Sequence, residues 1–122
     1  MYAIIAGCGL VGSRVATMLS RDGHNVSIID KNPDAFNRLP PEFDGLTLVG
    51  MGFDEEILKN AGIEKADVFA ALTDDDNANI MASAVAKNIF GVKRAIARVF
   101  DPGREKTFKE LGLEIVTPTV LG

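Results

Sequence analysis

The run Gly7-Cys8-Gly9-Leu10-Val11-Gly12 constrains this chain more than any other stretch, because it lies between an apolar segment, Tyr2 to Ala6, and an amphipathic stretch that opens at Val11. Glycine at the first, third and sixth places of such a run permits a tight turn, a close backbone approach to a pyrophosphate, and close packing of the helix on the strand. The helix start then presents unpaired N–H groups and the positive end of the peptide dipole to an anion. Asp30 follows Gly12 by 18 residues, at the end of a second apolar run, where a carboxylate accepts hydrogen bonds from an adenosine ribose. Lys31 beside it softens the rejection of a phosphorylated ribose.

The rest of the chain alternates short buried-type runs with helical stretches, which is the pattern of a parallel sheet covered on both faces. Strands are predicted at Tyr2-Ala6, Asn25-Asp30, Leu46-Gly50, Ala66-Leu72, Arg94-Arg98 and Leu113-Val116. Helices are predicted from Val11 to Arg21, closed by Gly23, from Asn32-Pro33 up to Pro40-Pro41, from Asp54 to Ala61, from Asp76 to Phe90, and onward from Asp101-Pro102. The expected fold is α/β, a Rossmann-type doubly wound sheet of six parallel strands in a single domain over residues 1–122. No low-complexity tract or internal repeat interrupts that order.

Of the 122 residues 47% are hydrophobic and 25% charged, which suits one soluble core. The net charge of -4 argues against nucleic acid or an anionic membrane as partner, since both require clustered Lys and Arg. The single cysteine, Cys8, has no intrachain disulfide partner, and a reducing cytoplasm is expected. The opening apolar run is far shorter than a membrane span and lacks the basic flank of a secretion signal.

In an open parallel sheet ligands sit at the carboxyl ends of the strands, and Gly7, Asp30, Gly50, Thr73 and Arg98 all fall there. Asp74-Asp75-Asp76 precede a predicted helix and read as capping and dipole partners, with no metal expected. Cys8 reads as a small residue chosen for fit, and His24 as a surface residue at the far end of the sheet. The fourth helix carries apolar residues on more than one face, among them Met81, Val85 and Ile89. With Phe108 and Leu111 these suggest a subunit interface.

Several features are more specific than the glycine turn: the Ile-Ala-Gly-Cys-Gly-Leu-Val-Gly start, the Ala61-Gly62 and Ala66-Asp67 pairs, Thr73 to Asp76 with Asn79, the Ala97-Arg98 pair and the Leu111-Gly112 close. On these residues the sequence resembles, over essentially its whole length, the N-terminal domain of the TrkA/Ktn family, also called regulator of potassium conductance. The resemblance implies a cytoplasmic nucleotide-binding domain that regulates a potassium channel or transporter membrane subunit and assembles as dimers within rings. Carried onto this chain, it places Gly7, Gly9 and Gly12 at the phosphates, Asp30 at the ribose, Thr73 and Asp74 near the distal phosphate or sugar, and Arg98 as a basic contact. The candidate site thus comprises Gly7, Cys8, Gly9, Leu10, Val11, Gly12, Asp30, Lys31, Gly50, Met51, Thr73, Asp74 and Arg98. The chain departs from the family at Met51, where Asp is usual, at Phe53, where a small hydroxyl residue is common, at Leu10, often Arg in triphosphate binders, and at Thr119, often Glu.

The expected ligand is NAD(H), with AMP, ADP and ATP as alternatives, because Leu10 removes a cation that a triphosphate would use. The expected function is nucleotide sensing without turnover. The alternative is an NAD-dependent oxidoreductase or an isolated dinucleotide-binding fragment of one, which lacks a positioned acid or base here. The family's crossover helix and C-terminal lobe are expected to lie beyond this chain, either on a companion chain or on a longer form of this one.

Overall fold

A computed structural model describes residues 1–118. Six parallel strands, β1 (Tyr2–Ala6), β2 (Asn25–Asp30), β3 (Leu46–Val49), β4 (Val68–Ala71), β5 (Arg94–Arg98) and β6 (Glu114–Val116), form one sheet in the order β3-β2-β1-β4-β5-β6. The winding direction reverses between β1 and β4, so their carboxyl ends open a crevice between diverging loops.

Helix α1 (Leu10–Arg21) joins β1 to β2, α2 (Glu55–Asn60) precedes β4, α3 (Asp76–Ala84) joins β4 to β5, and α4 (Glu105–Glu110) leads to β6. The second predicted helix is instead a 3-10 helix, Pro33–Arg38. Its start is capped as expected, with the Asn32 side chain accepting from the Asp34 N–H at 3.0 Å. Pro40 then drives Leu39 into extended backbone and ends the segment before a regular α-helix is established. The fourth predicted helix runs as α3 and continues as a π-helical turn, Val85–Ile89, in which the Phe90 N–H reaches the Val85 carbonyl at 3.3 Å. Gly91, at φ +68°, closes it.

Successive strand residues face opposite sides of the sheet. Ile4, Ile29, Phe69 and Ala71 pack with Leu58, Ile63, Ala82 and Ala86 on the face covered by α2 and α3. Ile5, Val26, Ile28 and Ala70 pack with Ala16 and Ala35 under α1 and the 3-10 helix. A third cluster, Ala95, Ala97, Val99, Phe108 and Leu113, anchors α4. Phe108 is therefore fully buried core and is removed from the expected subunit surface; Val85 is half-buried against the first cluster. Each fully buried Ile or Phe contributes about 1.5–3 kcal/mol.

The first turn depends on two glycines. Gly7 has φ +106°, and a Cβ on it would press on the Thr73 backbone nitrogen at 3.0 Å. A Cβ on Gly12 would overlap the Gly7 carbonyl oxygen outright, because α1 crosses the end of β1 in direct backbone contact. Gly12→Ala should therefore destabilise the fold by about 3 kcal/mol or more through overpacking. Urea denaturation measures this, and a loss below about 1 kcal/mol would mean that α1 is free to move away.

Candidate functional site

The crevice is a cleft of about 550 Å³ lined from every strand end near the crossover point. Of the thirteen candidate residues, Gly7, Cys8, Gly9, Leu10, Val11, Asp30, Lys31, Gly50, Met51, Thr73, Asp74 and Arg98 line it. Gly12 does not; it is buried behind the turn and acts through packing.

At the floor, α1 starts from its N-cap residue Gly9 with no side chain capping its first N–H groups. These donors therefore face the cleft unpaired by side chains, with the helix dipole behind them. The Cβ that Gly9 lacks would meet nothing within 4 Å, so its absence leaves the backbone open to the cleft. Gly52 is also required sterically, since a Cβ there would come within 2.7 Å of the Ala6 Cβ.

Asp30 is not simply free for a ligand. One carboxylate oxygen accepts from the Cys8 N–H at 2.7 Å and the other from the Asn32 N–H at 2.9 Å. The acid thus ties the glycine turn to the β2 loop, while each oxygen keeps lone-pair capacity toward the cleft. Beside it Arg38, absent from the sequence prediction, lines the cleft with Nη1 3.5 Å from the Cys8 carbonyl oxygen. Nothing in the hydrophobic periodicity marked this arginine; only the 3-10 geometry after Asp30 brings it back to the turn.

On the opposite side, fully buried Asn79 makes four hydrogen bonds. Its carbonyl oxygen accepts from the Thr73 N–H at 3.0 Å and hydroxyl at 2.6 Å, and its amide donates to the Thr73 carbonyl at 3.0 Å and the Arg98 carbonyl at 2.9 Å. Asp75 caps α3 by accepting from the Asn77 N–H at 2.9 Å. Asp76 accepts from the Phe100 and Asp101 N–H groups at 2.8 and 3.0 Å. These two acids are therefore engaged structurally, and Asp74 alone of the three is left facing the cleft without such a bond among the described residues. Arg98 lies over the Phe100 ring, 4.4 Å from its centroid.

Among the described residues the ion pairs are Arg21–Glu42, Arg94–Glu114 and Arg104–Asp101, so Lys31, Arg38 and Arg98 enter the cleft without a carboxylate within 4.0 Å. No group of three or more His, Cys, Asp or Glu converges as a metal site among the described residues. His24 lies just before β2, at the opposite end of the sheet. Thr119 lies outside the described residues.

The model of the TrkA-N domain family matches residues 3–118. The chain belongs to the TrkA-N domain family. It is 45% identical over 116 residues to the Trk system potassium uptake protein TrkA of Streptomyces coelicolor, covering 95% of this chain and 52% of that protein. The TrkA homolog of Pyrococcus abyssi is 42% identical, with 91% and 49% covered. The chain thus spans about half the length of these relatives. At the level of fold, the TrkA-N domain of the inner membrane protein ybaL of Escherichia coli superposes with a TM-score of 0.84 at 21% identity, covering 95% of this chain and 86% of that one. The AMP-bound Kef CTD of Shewanella denitrificans gives 0.81 at 23% identity, covering 98% and 72%.

In this TrkA-N domain Cys8 is fully buried, with its sulfur 3.4 Å from the Ala35 carbonyl oxygen. Burial, reinforced by the Asp30 charge and opposed by Arg38, pushes its pKa from the ordinary 9.0 to about 11. At pH 8 the native thiol should therefore react with iodoacetamide at least about a hundredfold more slowly than the unfolded chain, because it holds that much less thiolate. The native state also holds the extra proton between pH 9.0 and about 11, so this group's contribution to stability is lost as pH rises through that window. Comparable alkylation of native and unfolded chain would contradict the burial. Asn79→Ala should cost about 2 kcal/mol or more in urea unfolding, since it strands buried polar groups of Thr73 and Arg98; a neutral substitution would show that water replaces the amide.

Proposed function

We propose that this domain is the nucleotide-sensing part of a potassium channel or transporter system, regulating a membrane subunit from the cytoplasmic side. The observation that carries the reading is the cleft itself: an uncapped helix start beneath a glycine turn, the Asp30 carboxylate beside it, and three cations without ion-pair partners among the described residues. The named relatives are potassium uptake proteins, and neighbours of the same fold include a GsuK channel bound to NAD and the AMP-bound Kef CTD, which supports both halves of the proposal.

In this reading the α1 N–H groups receive a diphosphate, and the free lone pairs of Asp30 receive ribose hydroxyls. Leu10, Met51 and Phe53 give the cleft apolar walls. The distal part of the ligand lies against Thr73, Asp74 and Arg98. NAD(H) suits this arrangement best, with AMP or ADP filling the adenosine half and ATP disfavoured by Leu10.

Within the lining Cys8 holds its proton and Asp30 and Asp75 are hydrogen-bonded to backbone N–H groups, which leaves Asp74 as the one acid of the cleft without such a bond among the described residues and supports a sensor over an enzyme. Its work is conformational. Asn79 links Thr73 to Arg98 and Asp76 links the start of α3 to Phe100 and Asp101, so ligand contact at these strand ends bears directly on α3. That helical region exposes Met81 at 50% and Ile89 at 57%, and we assign it the surface through which copies of the domain associate.

Calorimetric titration should give binding of NADH in preference to ATP, with NADH recovered unchanged. Asp30→Asn should weaken NADH by about tenfold. Gly9→Ala should weaken it while leaving the melting temperature unchanged, since the new methyl group meets only open space. Tightest binding of ATP, or turnover abolished by these variants, would replace the sensor reading. Met81→Lys with Ile89→Lys should lower the mass seen by light scattering without altering circular dichroism; a monomeric wild type at high concentration would remove the interface.

A further inference from the structure

The acid at the end of β2 leads one to expect rejection of any phosphate on the adenosine ribose, but the side chains around it are arranged otherwise. Asp30 is flanked by two cations, Lys31 next in sequence and Arg38 at the end of the 3-10 helix, and all three line the same side of the cleft. Neither cation has a carboxylate within 4.0 Å among the described residues, although Glu and Asp elsewhere pair with Arg21, Arg94 and Arg104. The Asp30 charge is already shared with the Cys8 and Asn32 N–H groups, which hold one oxygen at the glycine turn and the other at the loop after β2. This side of the cleft therefore holds one hydrogen-bonded carboxylate against two uncompensated cations. The Thr73 side has the opposite balance, with Asp74 and Asp75 against Arg98.

We propose that Arg38, assisted by Lys31, forms a phosphate subsite at the adenosine ribose, so that the cleft accepts a 2′-phosphorylated adenosine nucleotide as readily as its unphosphorylated counterpart. The 3.5 Å approach of Nη1 to the Cys8 carbonyl sets one edge of the guanidinium against the turn and leaves the remaining N–H donors for an anion. A planar guanidinium offers a phosphate two parallel charge-assisted hydrogen bonds, and an arginine beside the β2 acid is the physical means by which a cleft of this topology accommodates a 2′-phosphate. Buried Ala35, one turn before Arg38, lines the same cleft with a single methyl group. The subsite rests on the proposed nucleotide reading and removes the preference that Asp30 alone would dictate.

Titrating 5′-AMP and 2′,5′-ADP into the wild-type chain and into Arg38→Gln isolates the extra phosphate. The wild type should bind 2′,5′-ADP at least as tightly as 5′-AMP. Arg38→Gln should weaken 2′,5′-ADP by about tenfold or more and 5′-AMP by less than about threefold. Lys31→Gln should act in the same direction with a smaller loss, as expected of an ammonium point charge that lacks the guanidinium's paired donors. A wild-type preference for 5′-AMP of about tenfold or more, or equal weakening of both compounds by Arg38→Gln, would overturn the subsite while leaving the nucleotide reading intact. Binding of neither compound would overturn that reading and the subsite with it.

Discussion

Gly12 has no room for a side chain because the backbone of α1 rests against the carbonyl of Gly7. From that contact the placement of most of the cleft follows. It holds the start of α1 level with the end of β1, so the uncapped N–H groups open where the sheet reverses its winding. Gly7 in turn sits against the Thr73 backbone, which brings the β4 loop to the same point. One close approach therefore sets two walls of the cleft, and neither glycine needs to touch a ligand to be indispensable.

The two sides of the cleft are held by different means. On the β2 side, Asp30 ties the glycine turn to the following loop through two backbone N–H groups, and the charged side chains there belong to one continuous segment, residues 30–38. On the β4 side, Asn79 uses both lone pairs and both N–H groups of its amide to lock Thr73 to Arg98. A neutral amide suits that place, since a buried charge would require an ionic partner and an apolar residue would leave the strand-end groups unsatisfied.

The strands, the glycine turn and Asp30 were legible in the sequence because each is set by local chemistry: β-branched runs of strand length, glycines at positions of restricted space, an acid at a strand end. The 3-10 helix was less so, since Pro33 and Asn32 announce a helix start and only the short reach to Pro40 decides its type. The burial of Phe108 was hidden because a single aromatic residue on a short amphipathic helix reads alike as core or as interface until its neighbours are in place; here Ala95, Ala97 and Val99 make room for it. Arg38 and Asn79 escaped functional assignment for the same reason. Their importance lies in which backbone groups they meet across the fold, and no spacing rule encodes that.

The contrast between the two sides bears on how a binding event becomes a structural one. The β2 side is built from a segment that connects to edge strand β3, and its contacts to the turn are short-range ties within the cleft. On the proposed reading, differences in ligand chemistry there act on affinity. The β4 side is wired to the exterior: Asp76, the first residue of α3, accepts from Phe100 and Asp101, and Arg104 donates to Asn77 in the same first turn. On the proposed reading, a ligand that shifts Thr73 or Arg98 acts first on the Asn79 hydrogen bonds that join both of them to the same helix. On the proposed nucleotide reading, substitution in residues 30–38 therefore addresses selection and substitution in residues 73–104 addresses transmission, because the hydrogen bonds that run on to α3 and the loop after β5 belong to the second segment.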